Sequence, residues 1–489
     1  MRDSTESKLT TEARLLIALA ALLAVLFYLL VSSRTLRIGF PLDDAWIHLT
    51  YARNFALHEQ WAFRLGETSA GSTSPLWTGL LAVGYILNLT PYIWPFLLGW
   101  VILSLLGIQG ESVTRRLVAT YRPRIPWVGF FFVTVWHLTW SAVSGMETLL
   151  QAFIFFYVLS SLLVHPGRYL ALGVLTGLSI WVRPDGITLL GPLILTAFMV
   201  ERRDRQRWNA IARILIGFSA LFVPYLLFNL ALAGNPWPNT FYAKQAEYQA
   251  AWLSLGLTNR LNNYLMPILA SPFIVLLPGA VIWMVRRVRN WDWAAIASLL
   301  WFVGYIGLYF LRLPAYQHGR YIIPAFPILY LWGILGLVEY VTSPNANRRI
   351  ALIWTSLTGM LCLLFTFVAA QQNAADVAWI EREMVGTAEW IQENLPPDSL
   401  LAVHDIGAIG YFDQHRIIDL AGLVSPDVIP FIRDQDRIAA YLDQRGADYL
   451  VTLPDFYREL VGPLEQVYPP GAACTPASGE ATMCVFRWK

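Results

Sequence analysis

The chain has 489 residues, of which 56% are hydrophobic and 14% are charged, and its mean hydropathy is +0.49. Soluble domains usually carry about 25% charged residues, so this composition excludes an ordinary soluble protein and indicates an integral membrane protein. The net charge of +2 hides an asymmetry, because residues 371–489 hold 8 Lys and Arg against 18 Asp and Glu. We therefore predict a polytopic membrane domain over residues 1–370 and a small soluble acidic domain over 371–489.

The first apolar segment runs from Leu15 to Val31 and contains 17 uncharged residues. It is longer than the apolar core of a usual signal peptide and lacks a convincing cleavage site, so we interpret it as a signal anchor that spans the membrane. Pro75 to Leu89 is too short for a comfortable span and is predicted to lie in, or re-enter, the outer interface. Further spans are predicted at about 92–113, 125–143, 149–164, 169–182, 187–200, 210–233, 263–285, 293–311, 321–341 and 350–370.

Arginine-rich loops predict the orientation, because positively charged loops face the cytoplasm. The clustered arginines are Arg115, Arg116, Arg122 and Arg124; Arg202, Arg203, Arg205 and Arg207; Arg286, Arg287 and Arg289; and Arg348 and Arg349. With these loops on one side, the sequence predicts about eleven spans in an all-α bundle, a cytoplasmic N-terminus and an extracytoplasmic C-terminal domain. The other loops, with most of the polar residues, then face outward.

Asp43 and Asp44 stand side by side in the first outer loop, which covers about residues 34–74. A carboxylate next to a bilayer is costly to maintain, so two adjacent ones indicate a functional site. The alternative is that they cap the helix beginning at Ala45, a task for which one Asp would be enough.

A helix over 44–55 would place Asp44, His48, Tyr51 and Phe55 on one face. His48, Tyr51 and the nearby Arg53 are therefore candidate substrate-binding residues. The alternative for the aromatic residues Trp46, Tyr51 and Trp61 is membership of the aromatic belt at the membrane interface.

Two further polar clusters lie at predicted outer ends of spans. Glu147 is a candidate binding residue, although Ser144-x-x-Glu147 also matches a helix capping box. Arg183 and Asp185 flank a proline and are candidates for contact with an anionic lipid headgroup. A tight turn with an internal ion pair is the alternative for that pair.

The last two outer clusters combine cations with aromatic residues. Asn239, Tyr242 and Lys244 belong to a segment rich in proline and aromatic residues, which suggests a rigid wall with Lys244 as its cation. His318 and Arg320 lie in a very short loop suited to gripping a phosphate. An arginine that merely extends toward the interface is the alternative for Arg320.

These features together suggest glycosyl transfer outside the cytoplasm. No nucleotide sugar is available there, so an activated donor must come through the lipid as a polyprenyl-phosphate sugar. Asp43 or Asp44 would deprotonate the acceptor hydroxyl, while Arg320, Lys244 and Arg183 would stabilise the leaving phosphate. A divalent cation at Asp43 and Asp44 stays open, and no nucleic-acid partner is expected.

The motif order resembles a known family. The strings PLDDAWIHLTYARNFA, STSPLW, SGMET, RPDG and NTFYAK, with Gly66-Glu67 between the first two, are similar to GT-C membrane glycosyltransferases, and within them to terminal arabinofuranosyltransferases and their uncharacterised bacterial relatives. HGRY, HDIGAIGYF and DLAGL give a weaker likeness. The resemblance implies a catalytic aspartate in the first outer loop, a polyprenyl-phosphate sugar donor and a glycan or lipid acceptor.

The acidic C-terminal domain is predicted to be an α/β module, with strands at 400–403, 417–419 and 449–452 and a helix at 436–444. It would cap the active site or bind the acceptor. His404-Asp405 could join the site or form only a turn. Cys474 and Cys484 could form a disulfide if the domain faces an oxidising compartment.

Other functions remain open at this stage. A lipid-linked glycan transporter or flippase would also have many spans, but it should show corresponding halves, and none are visible. A ligase that uses a lipid-pyrophosphate glycan differs only in its donor. In a non-catalytic receptor the C-terminal domain would carry the function, and the aspartate pair would be dispensable.

Overall fold

The computed structural model describes residues 9–89, 91–165, 167–471, 474 and 482–488. It consists of two compact units. The first unit comprises Met1–Val31, Pro95–Tyr225 and Leu255–Gln372, and the second comprises Ser32–Trp94, Leu226–Ser254 and Asn373–Lys489. The predicted boundary between residues 370 and 371 stays a prediction.

The described residues are mostly helical. The helices are α1 (Thr11–Thr35), α2 (Asp44–His58), α3 (Pro75–Ile86), α4 (Ile93–Leu117), α5 (Trp127–Thr134), α6 (Trp136–Val143), α7 (Thr148–Val164), α8 (Tyr169–Val182), α9 (Leu190–Val200), α10 (Asp204–Ala233), α11 (Asn239–Ser254), α12 (Leu257–Leu269), α13 (Phe273–Arg289), α14 (Trp293–Arg312), α15 (Phe326–Val341), α16 (Arg348–Trp379), α17 (Gly386–Asn394), α18 (Ile406–Phe412), α19 (Gln435–Arg445) and α20 (Arg458–Val461). Short 3-10 turns cover Pro184–Leu189, Gln317–Gly319, Ile323–Ala325, Pro426–Phe431 and Pro454–Phe456, and a π-helical turn covers Ile380–Val385. The strands are β1 (Ala62–Arg64), β2 (Glu67–Thr68), β3 (Leu400–Val403), β4 (Arg416–Asp419), β5 (Tyr449–Thr452), β6 (Glu465–Tyr468) and β7 (Cys484–Arg487).

Six helices in the described part of the chain are long and apolar enough to cross a membrane. They are α1, α4, α10, α14, a helical segment ending at Val341 and the long helix that begins at Arg348. The α12–α13 pair, bent by 91°, could form a seventh, and four shorter apolar helical segments lie at Pro75–Ile86, Thr148–Val164, Tyr169–Val182 and Pro184–Val200. The predicted multi-span helical fold is confirmed, while the number of about eleven spans and the orientation stay predictions.

Two predicted spans are interrupted. Residues 125–143 form two short helices because Val135 is extended (φ −63°, ψ 122°), and the Thr139 hydroxyl donates to the freed carbonyl of Val133 at 3.0 Å. Residues 263–285 bend before Pro272, since the residue preceding a proline is disfavoured in a helix. The Ser271 hydroxyl accepts a hydrogen bond from the Phe273 amide at 3.1 Å and so begins α13.

Helices α13 and α15 of the first unit approach backbone to backbone. A Cβ atom added at Gly336 would lie 2.1 Å from the Gly279 carbonyl oxygen, and one added at Gly279 would lie 2.6 Å from the Gly333 carbonyl oxygen. Small residues at such positions allow close packing of membrane helices, where lipid offers little hydrophobic driving force.

A five-stranded sheet forms the centre of the C-terminal part of the second unit. Its strand order is β4-β3-β5-β7-β6, with β3 parallel to β4 and β5, and β7 antiparallel to β5 and β6. Ile438 and Leu442 of α19 pack with Leu450 of β5 in its core. The predicted small α/β domain is therefore confirmed, although β6 and β7 were not predicted.

Cys474 and Cys484 are joined in a disulfide with their Cα atoms 6.2 Å apart, and Cys362 is a buried free thiol. Both bonded cysteines belong to the core of this domain. Such bonds persist in oxidising compartments, so the bond fits the predicted extracytoplasmic location.

We expect one reactive thiol per denatured chain before reduction and three after it, because only Cys362 is unbonded. The measurement is the mass added by a maleimide reagent to protein extracted under conditions that block thiol exchange. A Cys474→Ser/Cys484→Ser variant should show one thiol in both states. Three thiols in the unreduced wild type would contradict the bond.

Candidate active site

The second unit contains the aspartate pair at the start of α2. Asp43 occupies the N-cap position of α2, but its side chain makes no capping hydrogen bond to that helix. Its carboxylate instead accepts hydrogen bonds from the backbone amides of Gly407 at 2.7 Å and Ala408 at 2.8 Å, in the first turn of α18. The alternative that the pair caps its own helix is therefore wrong for Asp43, which caps α18.

Gly407 allows this contact. A Cβ atom at position 407 would lie 2.1 Å from the Asp43 carbonyl oxygen and 2.5 Å from its Oδ2 atom. Burial raises the pKa of Asp43 to about 7, and the neighbouring charges of Asp405 and Asp44 add to that effect, while the two amide donors oppose it.

Asp44 faces a lysine. The side chain of Asp44 is 34% exposed, and its Oδ2 atom lies 3.8 Å from the Nζ atom of Lys244, which α11 supplies. Asn239, the first residue of α11, donates its side-chain amide to the Leu423 carbonyl at 3.2 Å and its backbone amide to the Ala70 carbonyl at 3.2 Å. These bonds hold the start of the helix that positions Lys244.

One turn beyond Lys244, α11 contacts the C-terminal domain. Glu247 Oε1 lies 3.3 Å from His404 Nε2, and His404 Nδ1 lies 2.9 Å from the Tyr457 hydroxyl. Burial by itself lowers the pKa of His404, but hydrogen bonding to Glu247 and the charges of Asp405, Glu247 and Asp419 outweigh it and raise that pKa to about 9. His404 is therefore a cation at neutral pH within an acidic cluster.

Two more carboxylates complete this cluster. Asp405 has a raised pKa, chiefly because of burial, and its Oδ2 atom is buried with no hydrogen-bond partner in the described part of the chain. Asp419 is fully buried, and it accepts the amides of Ala421 at 2.9 Å and Val424 at 2.7 Å, which shapes the loop that follows β4. Burial raises the pKa of Asp419 to about 6.

Two predicted binding residues on α2, His48 and Tyr51, contact the loop that precedes α3. His48 Nδ1 lies 3.3 Å from the hydroxyls of Ser72 and Thr78, and the Tyr51 hydroxyl lies 2.5 Å from the Ser69 hydroxyl. Tyr51 also accepts the amide of Gly71 at 2.9 Å. His48 and Tyr51 thus hold the loop at 69–74, and their role in substrate binding stays a prediction.

Arg53 binds the C-terminal domain, because it donates to the Tyr411 carbonyl at 2.8 Å and lies 4.6 Å from the centre of the Tyr411 ring.

The aromatic-belt alternative is wrong for Trp46 and Tyr51, which are fully buried. The Trp46 ring packs 4.8 Å from the Tyr411 ring. Tyr242 is half-buried, with its ring edge-on to Phe241 at 5.4 Å.

The first unit contains a separate network around Arg183. Its guanidinium donates to Glu147 Oε1 at 2.9 Å and to the Tyr309 hydroxyl at 3.1 Å, and it lies 3.5 Å from Asp185 Oδ1. The hydroxyls of Tyr305 and Tyr309 donate to Asp185 Oδ2 at 2.7 and 2.6 Å. Arg183 and Asp185 therefore form the ion pair that the turn alternative predicted, and Glu147 belongs to the same network.

The capping-box alternative for Glu147 is wrong. Helix α7 begins at Thr148 without a side-chain capping bond. The Ser144 hydroxyl donates to the Ser141 carbonyl at 2.9 Å and accepts the Met146 amide at 3.2 Å.

The short loop with His318 and Arg320 is strained. Tyr316, Gln317 and His318 all have positive φ angles, of 41°, 37° and 62°. Arg320 is 4% exposed and donates to the Tyr321 hydroxyl at 3.1 Å. The guanidinium groups of Arg320 and Arg183 lie 5.0 and 5.1 Å from the centre of the Tyr321 ring.

Protein groups already contact both members of the aspartate pair, and a divalent cation there stays a prediction. Both Asp43 oxygens accept amide hydrogens, and the Lys244 ammonium already lies beside Asp44. Within the described residues, no group of three His, Cys, Asp or Glu side chains could hold a metal ion.

Sequence reasoning missed Glu247, Tyr457 and Asp419, and it left His404 and Asp405 open. The available signal for Glu247 was its spacing of three residues from Lys244, which places both side chains on one face of α11.

We expect the thermal unfolding midpoint of the purified protein to fall as the pH rises from 6.5 to above 9. The folded state raises the pKa of His404 from 6.5 to about 9, so its stabilising charge is fully present below pH 6.5 and is lost through pH 9. His404→Gln should reduce the fall, whereas His58→Gln, at an exposed site, should not. An unchanged fall in His404→Gln would contradict the role of this imidazolium.

Gly407→Ala should lower the free energy of unfolding by about 1–3 kcal/mol, because the added methyl group forces α18 away from Asp43. Denaturant unfolding measures this change. Gly386→Ala is the control, since its added methyl group would lie 3.6 Å from the Glu381 carbonyl oxygen, an ordinary contact distance. If Gly407→Ala were as stable as Gly386→Ala, the prediction would be wrong, because the contact between Asp43 and α18 would tolerate the added methyl group.

Comparison with known proteins identifies the fold. The chain is similar to crystal structures of ArnT from Cupriavidus metallidurans in the apo state (TM-score 0.63, 16% identity) and bound to undecaprenyl phosphate (TM-score 0.60, 14% identity), each match covering 96% of this chain and 97% of ArnT. It is also similar to the cryo-EM structure of the arabinofuranosyltransferase AftD from Mycobacteria (TM-score 0.53, 15% identity). That match covers 99% of this chain and 40% of AftD.

Sequence comparison is less informative. A domain of unknown function, DUF8728, matches residues 370–486. No curated protein matches the chain in sequence. At identities this low the structural likeness establishes the fold, and the chain has the GT-C fold that the motif order suggested.

Proposed function

We propose that the chain is a membrane glycosyltransferase that moves a sugar from a polyprenyl-phosphate donor to the hydroxyl of an extracytoplasmic glycan or lipid acceptor. The observation that carries the proposal is the pair formed by the partly exposed Asp44 carboxylate and the Lys244 ammonium, 3.8 Å apart. The fold supports it, because ArnT has the same fold and was crystallised with undecaprenyl phosphate.

In the proposed reaction, the acceptor oxygen forms a bond to the anomeric carbon while the bond from that carbon to the phosphate oxygen breaks. Asp44 accepts the acceptor proton, and the polyprenyl phosphate leaves with the bonding electron pair. Lys244 supplies positive charge close to the base, where it can stabilise the leaving phosphate. No general acid is needed, since the leaving group is already a stable anion.

The two aspartates have different roles in this proposal. Both oxygens of Asp43 are committed to backbone amides of α18, so Asp43 is a positioning residue. Asp44 is the catalytic base, because its side chain is more accessible and its neighbour is a cation. Arg183 has less capacity for a phosphate than its charge suggests, because Glu147 and Asp185 both lie against it.

Asp44→Asn should lower transfer by roughly 10²- to 10⁴-fold, the usual contribution of a general base, without lowering the thermal midpoint. The assay supplies membranes with a panel of radiolabelled polyprenyl-phosphate sugars and measures label in the acceptor fraction. Asp43→Asn should lower both transfer and the thermal midpoint, because it weakens the contact with α18.

Asp427→Asn is the control, since that carboxylate is 65% exposed on the C-terminal domain. Full activity of Asp44→Asn would remove Asp44 as the base. Failure of the wild type to use any polyprenyl-phosphate sugar, with transfer from a lipid-pyrophosphate glycan instead, would identify a ligase.

A further inference from the structure

A polar cavity of about 150 Å³ lies in the first unit between the ends of α4 and α7. Its lining includes Arg116, Arg168, His165, Tyr157, Ser160 and Ser161. A water molecule occupies about 30 Å³ of liquid, so this volume has room for a phosphate group. None of the residues that line it carries a carboxylate.

The polar side chains of the cavity are arranged by short contacts. Arg116 donates to His165 Nε2 at 2.9 Å, and Gln109 donates to the Ser160 hydroxyl at 2.9 Å. Because arginine can only donate, Nε2 of His165 must accept, which fixes the imidazole as the tautomer with its proton on Nδ1. The cavity thus combines two guanidinium groups with hydroxyl groups, which suit the oxygens of a phosphate ester.

Neighbouring acidic residues have partners of their own. Glu111 pairs with Arg115 at 2.7 Å, and Glu201 accepts the Tyr169 hydroxyl at 3.0 Å. The positive charge of Arg116 and Arg168 is therefore not offset by a carboxylate in the lining. Arginines near helix C-termini also stabilise the helix dipole, but that role requires no cavity.

The position of the cavity along α7 indicates the source of the phosphate. Helix α7 has 17 residues and is about 26 Å long at helical rise. Glu147 precedes its first residue. At its other end, Ser160, Ser161 and Val164 line the cavity. That length is close to the thickness of the hydrocarbon core. In the predicted topology, in which α7 spans the membrane, the cavity lies at the depth of lipid headgroups on the cytoplasmic face, opposite Glu147.

We propose that this cavity binds the phosphate of an anionic membrane lipid. Basic pockets between membrane helices on the cytoplasmic side bind anionic headgroups in other proteins, for the same electrostatic reason. Arg116 and Arg168 contact the phosphate, and Ser160, Ser161 and Tyr157 supply hydroxyl groups around it. The site is independent of the proposed glycosyl transfer.

The test measures binding of short-chain phosphatidylglycerol to the purified full chain in neutral detergent, by native mass spectrometry and by the shift in thermal midpoint. Short-chain phosphatidylcholine and inorganic phosphate are the comparison ligands. Arg116→Gln/Arg168→Gln removes the two cations from the cavity. Arg205→Gln removes an exposed arginine of α10 that does not line it.

We expect phosphatidylglycerol to bind the wild type and Arg205→Gln alike, and to bind the double variant at least tenfold more weakly. Phosphatidylcholine should bind more weakly than phosphatidylglycerol, since it has no net charge. Binding to the double variant at the wild-type level would overturn the site. Equal stabilisation by inorganic phosphate alone would overturn the lipid as its ligand.

Discussion

The contact between the Asp43 carboxylate and the first turn of α18 determines the geometry of the candidate site. Two backbone amides bind both oxygens of one side chain, so the start of α2 is fixed against the C-terminal domain in position and in direction. Asp44 is the next residue, and its orientation follows from that constraint. In the proposed mechanism, neighbouring residues of the same type thus have different tasks, with Asp43 positioning the site and Asp44 acting as the base.

The C-terminal domain contributes directly to the surroundings of Asp44. Through His404 it contacts Glu247, which lies one turn from Lys244 on α11. Leu423 accepts a hydrogen bond from Asn239 at the start of the same helix. A cation on His404 also balances part of the acidic cluster, so that carboxylates can remain close to one another without all being neutralised by protonation.

Local sequence patterns predicted the elements well, and the pairing of distant residues poorly. The lack of glycine and proline over residues 44–55 allowed the helix that α2 forms, and the predicted strands of the C-terminal domain lie within one residue of β3, β4 and β5. Hydropathy could not reveal the break at Val135, because that segment is mostly apolar and contains no glycine or proline at the break. Nothing local connects Glu247 with His404, which are far apart in the chain and meet only in the fold.

The arginines of the first unit show why charge compensation matters more than charge itself. Arg183 was predicted to bind phosphate from its place at membrane level, yet Glu147, Asp185 and Tyr309 surround it and leave little positive potential for a ligand. Burying an arginine without such partners would be costly, so the network offsets the cost of burying Arg183 at the junction of α7, α8 and α14. Arg116 and Arg168 line a cavity without a carboxylate, and a mobile anion from the membrane can supply the charge that the protein does not.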